Sequence, residues 1–141
     1  MGYNVYISYS MSNSGKAYDL SGQLSKRHIS YHLDCIESGF TLNDYTKNII
    51  EKCQVYVVLV GTQHLDTNYA NATLHHAIAH GKEILICPID NAQLSEELIL
   101  HTIVTELELS SEIESLLKVG AFAHGEKKNI KDFLNLMGLG N

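Results

Sequence analysis

Long apolar runs are missing from this chain of 141 residues. None approaches the ~18 to 20 apolar residues that a membrane span requires, so no membrane partner is expected. Positive charge is scarce too: 10 Lys and Arg stand against 16 Asp and Glu, a formal net charge of -6. The basic residues are scattered along the chain: Lys118, Lys127, Lys128 and Lys131 make no single patch, and the Lys26-Arg27 pair reads as the end of a helix. A nucleic-acid partner is therefore not expected, because a phosphate backbone calls for a basic face. Cysteine is limited to Cys35, Cys53 and Cys87, an odd number without CxxC spacing. That argues against a disulfide framework and for free thiols in a reducing cytoplasm. The opening "MGYNVYISYS" has neither the basic start nor the long apolar core of a leader, and Tyr6 stands where a myristoylation signal needs Ser or Thr. Repeats, low-complexity segments and linkers are absent, so residues 1–141 are expected to form one domain.

The common nucleotide and hydrolase signatures are missing as well. There is no G-x-G-x-x-G, no complete P-loop and no G-x-S-x-G elbow. "SMSNSGK" ends in Gly-Lys but lacks the early glycine and the hydroxyl that follows the lysine in a P-loop.

What remains is an alternation of short apolar runs with helical periodicity. With 45% hydrophobic residues the chain can bury a core without staples. "YNVYISY" (3–9) reads as a strand. A helix then runs through about Lys26, with Ala17, Leu20 and Leu24 on its inner face. "HISYHL" (28–33) reads as a second strand, and a loop over 34–44 follows. Asn43 or Asp44 caps a helix ending near Cys53. "VYVVLV" (55–60) and "EILICPI" (83–89) are continuously apolar, as strands buried on both faces are. Between them lies a helix closed by Gly81. Beyond them the pattern predicts a short helix over 95–101, an edge strand over 102–109, a helix capped by Ser110 or Ser111, and a last helix over 127–138. The whole is an α/β chain: a doubly wound parallel five-stranded sheet flanked by helices. Sites in such sheets lie beyond the carboxyl ends of the strands, which directs attention to residues 9–14, 34–43, 61–68 and 88–94.

Four stretches together resemble Toll/interleukin-1 receptor (TIR) domains of the bacterial type. They are "YNVYISYS", "HISYHLDCIESG" with its glycine-bearing BB loop, "IIEKCQVYVVLVG" and "TNYANATLHHAIAHGKEILICPI". The resemblance spans about residues 3–90 and implies a flavodoxin-like fold. It also implies signalling, in immune or antiviral defence, by one of two routes. Some TIR domains are hydrolases that cleave NAD between nicotinamide and ribose to give ADP-ribose or a cyclic relative. Others only assemble with further TIR domains. On this resemblance NAD or a related nucleotide is the expected ligand or substrate, other TIR domains are the expected partners, and no cofactor is required. A nucleoside deoxyribosyltransferase-like enzyme is a third class with a similar sheet.

The resemblance places Tyr9, Ser10, Asp34, Gly39, Phe40 and Tyr69 around the nucleotide. Each also has a plainer reading: strand-end turn, loop cap or core packing. Thr73 occupies the position of the catalytic glutamate of the NAD-cleaving members. A hydroxyl can bond a ribose but carries no charge to offset a developing cation, a loss on the order of 10²-fold or more in rate. Glu37, Asp66 and Glu83 are the other acids considered.

The segment "NYANATLHHAIAHGK" (68–82) contains no acid and three histidines. Helical spacing puts Leu74, Ala77 and Ile78 on the core face and Tyr69, Thr73, His76 and His80 on a polar stripe beside it. His76 is a candidate ligand contact or proton carrier. His76 and His80, four apart, suit a shared metal, but no HExxH or third ligand is evident, so no metal is expected.

Overall fold

The computed structural model describes residues 2–36, 40–61 and 68–123. Five parallel strands form one sheet in the order β2-β1-β3-β4-β5: β1 Val5–Ser10, β2 Tyr31–Ile36, β3 Val55–Val60, β4 Glu83–Pro88 and β5 Thr102–Ile103. Among the described residues four α-helices flank it: α1 Ser14–Lys26, α2 Asp44–Lys52, α3 Asn68–Ala79 and α4 Leu109–Ala123. This is the expected doubly wound sheet, and the central strands β1 and β3 are buried along their full length.

Strand alternation divides the core in two. Val5, Ile7 and Tyr9 of β1, with Val57 and Leu59 of β3, face Ala17, Leu20 and Leu24 of α1 and Ile113 of α4. Tyr6 of β1, with Tyr56, Val58 and Val60 of β3, faces Ile49 and Ile50 of α2 and Leu74 and Ala77 of α3.

Local chemistry sets the helix ends. Asn43 caps α2 by accepting the Thr46 N–H at 2.9 Å. Gly81, at φ 70, closes α3 with hydrogen bonds from its own N–H to the Ile78 carbonyl and from the Lys82 N–H to that of Ala77. α1 closes the same way, but with His28 at φ 58 in the glycine position, its N–H bonding Ser25 and that of Ile29 bonding Leu24. Those residues are consumed by the cap, which is why β2 begins at Tyr31 rather than at 28.

The region after β4 departs most from expectation. The helix predicted over 95–101 is a single 3-10 turn, Leu98–Leu100. The edge strand predicted over 102–109 has only two residues. Glu106 instead turns back to α1, 2.9 Å from the Lys16 ammonium, and accepts the Asp90 N–H. Leu107 is left 95% exposed while Leu109 enters the core. α4 then starts at Leu109, with Glu112 N–H bonding the Glu108 carbonyl, so Ser110 and Ser111 sit inside the first turn instead of capping it. The helix predicted over 127–138 lies outside the described residues.

α3 is also rotated from its predicted phase. Tyr69, Thr73, Leu74 and Ala77 are its buried residues, while Ile78 is 41% exposed. The tyrosines at 6 and 56 fill the sheet surface below, so Thr73 meets the Tyr56 hydroxyl and Tyr69 the Asp34 carboxylate rather than solvent.

Candidate functional site

Parallel pairing sets Tyr6 beside Tyr56, and Ser8 beside Asp34. The Tyr6 and Tyr56 rings stack, with centroids 5.0 Å apart and planes 8° from parallel. Asp34, near the end of β2, accepts hydrogen bonds at Oδ2 from the Tyr6 hydroxyl and, at 2.7 Å, from the Tyr69 hydroxyl of α3. Phe40 caps the group, meeting the Tyr69 ring edge-on at 5.6 Å. The Tyr56 hydroxyl donates to Thr73 Oγ1 at 2.8 Å, and the Thr73 hydroxyl donates in turn to the Ala70 carbonyl at 2.9 Å. The Ser8 side chain also bonds the Tyr56 hydroxyl.

Electrostatics keep these phenols protonated. Burial pushes the ionisation of Tyr6 far up, and the charge of Asp34 adds to it. Burial raises Tyr56 and Tyr69 as well. Each therefore remains a donor at neutral pH. Burial lowers His32, which lies against the Tyr6 ring, with Asp34 opposing the shift.

Beside this network is a cavity of about 550 Å³. Its floor is Ser8, Tyr56, Val58, Val60 and Gly61. One wall is Ala70, Asn71 and Leu74 of α3, and the other is the 93–98 segment, including Glu96 and Glu97. The floor straddles β1 and β3, where the strand order reverses, which is where doubly wound sheets bind ligands. The volume falls within the ~300–1,000 Å³ of small-molecule pockets.

Of the residues nominated from sequence, Asp34, Phe40, Tyr69 and Thr73 come together. Thr73 is fully buried and is not among the residues lining the cavity. Tyr9 lies on the opposite face of the sheet, where burial raises its ionisation to about 12. Ser10 ends β1 on the cavity side. It lies 3.1 Å from Ser12 Oγ and accepts a bond from Asn13 Nδ2. Asn13 in turn covers Gly61, where a Cβ would lie 2.4 Å from its Nδ2. His76 sits farther along α3 and bonds Glu51 of α2 at 2.8 Å, away from the cavity. Gly39, Glu37 and Asp66 lie outside the described residues, and Glu83 opens β4 at the far end of the sheet.

The carboxylates that do line the cavity, Glu96 and Glu97, were not singled out from sequence. Only the position of the 93–98 segment after a buried strand pointed their way. Glu97 is engaged by His75 at 2.6 Å. Glu96 makes no hydrogen bond or ion pair among the described residues.

No family model matches this chain, and no curated protein does. Solved structures do. The TIR domain of the Toll-related receptor TRR-2 from Hydra magnipapillata superposes with a TM-score of 0.61 at 14% identity, covering 86% of this chain and 96% of that one. The fold is TIR-like. A flavodoxin-like domain from Synechococcus gives a TM-score of 0.56 at 11% identity over 79% of this chain and 94% of its own. A CMP N-glycosidase from Clostridium botulinum gives 0.50 at 13% identity, over 77% and 97%. Among the described residues of the TIR-like domain, no helix is long and apolar enough to cross a membrane.

Proposed function

We propose that this chain is a TIR-type signalling domain of prokaryotic immune defence, acting in the cytoplasm, which takes NAD or a related nucleotide in the cavity beside α3. The observation that carries this is the cavity's place over the β1–β3 reversal, with the polar residues Ser8, Tyr56 and Asn71 in its lining. The likeness to a TIR domain supports the signalling role, and that to a CMP N-glycosidase supports the ligand class. In this reading nicotinamide leaves with the bonding electrons of its ribose link, and water adds to the ribose, giving ADP-ribose and a proton. The developing cation needs a carboxylate. α3 presents none, and of the two that line the cavity Glu97 is engaged by His75, which leaves Glu96 for this role.

A second reading has the domain sense the nucleotide, or merely assemble, without cleaving it. The sealed position of Thr73 favours it. Phe40, 51% exposed beside the BB loop, offers a contact for another TIR domain.

Purified protein incubated with NAD separates these. Nicotinamide release that falls about 10²-fold in Glu96→Gln supports cleavage. Saturable NAD binding by calorimetry without nicotinamide release supports sensing. Absence of both, with concentration-dependent light scattering lost in Phe40→Ala, leaves assembly alone and refutes the nucleotide reading.

A further inference from the structure

A second cluster lies at the other end of α3. His76, in the last turn of α3, and His80, the residue just past its end, have ring centroids 4.3 Å apart. The end of α2 brings Glu51 against them. Its Oε2 is 2.8 Å from His76 Nε2 and 4.0 Å from His80 Nε2. One ligand atom from each of the three residues lies within 4.8 Å of the others. The missing third ligand of the sequence pattern is thus supplied by a residue twenty-five positions earlier.

We propose that Glu51, His76 and His80 form a binding site for a divalent transition metal of the zinc class, which clips α2 to α3. Three features prepare it. First, His80 Nδ1 lies 2.9 Å from the His76 carbonyl, and only its N–H form can bond there, which leaves Nε2 as the ring nitrogen for a metal. Second, Glu51 Oε2 already faces both rings, 2.8 Å from His76 Nε2 and 4.0 Å from His80 Nε2, so the oxygen ligand is in place. Third, the Lys82 ammonium binds the Glu51 main-chain carbonyl at 2.5 Å, tying the end of α2 to the α3 cap. Zinc holds nitrogen and oxygen at about 2.0–2.2 Å, which puts neighbouring ligand atoms of a tetrahedron about 3.4 Å apart. Two of the three separations, 2.8 and 4.0 Å, bracket that value and all three lie within 4.8 Å, so side-chain rotations bring the ligand atoms onto a metal. Two histidines and one carboxylate leave the fourth position to water. Glu51 and His80 are each about two-fifths exposed, which opens a path for the ion, whereas His76 is largely covered.

The test uses tag-free full-length chain stripped with EDTA and dialysed. Zinc chloride titrated by calorimetry should bind at one site and raise Tm by about 5 °C at saturation. His76→Ala, His80→Ala and Glu51→Gln should each weaken binding at least 10-fold. His75→Ala, which disturbs the neighbouring pair with Glu97, should bind as the wild type does. Cobalt(II) should give the strong visible bands of tetrahedral coordination in the wild type. Absence of zinc heat and of those bands overturns the site, whatever the variants' stability. So does undiminished zinc affinity in the three ligand variants.

Discussion

Thr73→Glu places a carboxyl where the NAD-cleaving TIR domains carry theirs, and the packing predicts that it fails to restore a site. Thr73 is fully buried, its hydroxyl held between the Tyr56 hydroxyl at 2.8 Å and the Ala70 carbonyl at 2.9 Å. Glutamate adds two heavy atoms to that space, an overpacking cost of about 1–3 kcal/mol. Confining a carboxylate there, close to Asp34, costs several kcal/mol more or forces the group to stay protonated. A total of about 4–6 kcal/mol removes much of the ~5–15 kcal/mol that holds a domain folded. Thr73→Val is the comparison. It keeps the shape and removes only the hydroxyl, and Tyr56 keeps its bond to Ser8, so the loss is about 1 kcal/mol. Urea unfolding followed by circular dichroism measures both. The introduced carboxyl has its folded-state pKa raised, so its penalty is small below the unfolded carboxyl pKa of about 4.3 and grows as pH rises through the folded value. The deficit of Thr73→Glu should therefore shrink on acidification, while that of Thr73→Val should not. A glutamate variant as stable as the wild type, with no pH-dependent deficit and new nicotinamide release, would show that position 73 opens into the cavity and would refute the reasoning.

Three further outcomes follow from the same contacts. Gly61→Ala should cost about 1–3 kcal/mol in urea unfolding, because its Cβ meets the Asn13 carboxamide, buried under the end of β1; Asn13→Ala in the same background should recover part of the loss. Tyr6, Tyr9 and Tyr56 have folded pKa values raised above the unfolded value, so the stability they confer is intact below about pH 10 and falls as pH rises beyond it. Ultraviolet titration should then show Tyr6 and Tyr56 ionising only as the chain unfolds. Glu106 is held low chiefly by Lys16, so its contribution is present above the unfolded carboxyl pKa of about 4.3 and lost as pH falls through the folded value. Because the pair is largely solvated, Glu106→Gln should change stability by less than about 1 kcal/mol at neutral pH and flatten the acid limb of the profile.

The order and type of the elements through β4 were legible in the sequence, and so was the parallel sheet. Continuous apolar runs such as "VYVVLV" have no exposed face to offer, and Asn43 and Gly81 mark helix ends by chemistry that acts within a few residues. Where local signals were weaker the boundaries moved: His28 closed α1 without a glycine, and the alternation after Ile103 gave way to a turn held by Lys16 and Glu106. Only the tertiary structure decided how α3 is rotated, and with it the character of both ends of that helix. Helical spacing states which residues share a face, but not which face meets the sheet. Here the stacked tyrosines at 6 and 56 supply hydroxyls that draw Thr73 and, through Asp34, Tyr69 inward. The same rotation turns His76 and His80 toward Glu51, and the segment after β4 brings Glu96 over the cavity. Those meetings join residues far apart in the chain, and side-chain volume and hydrogen-bond satisfaction across the sheet determine them, which no local pattern encodes.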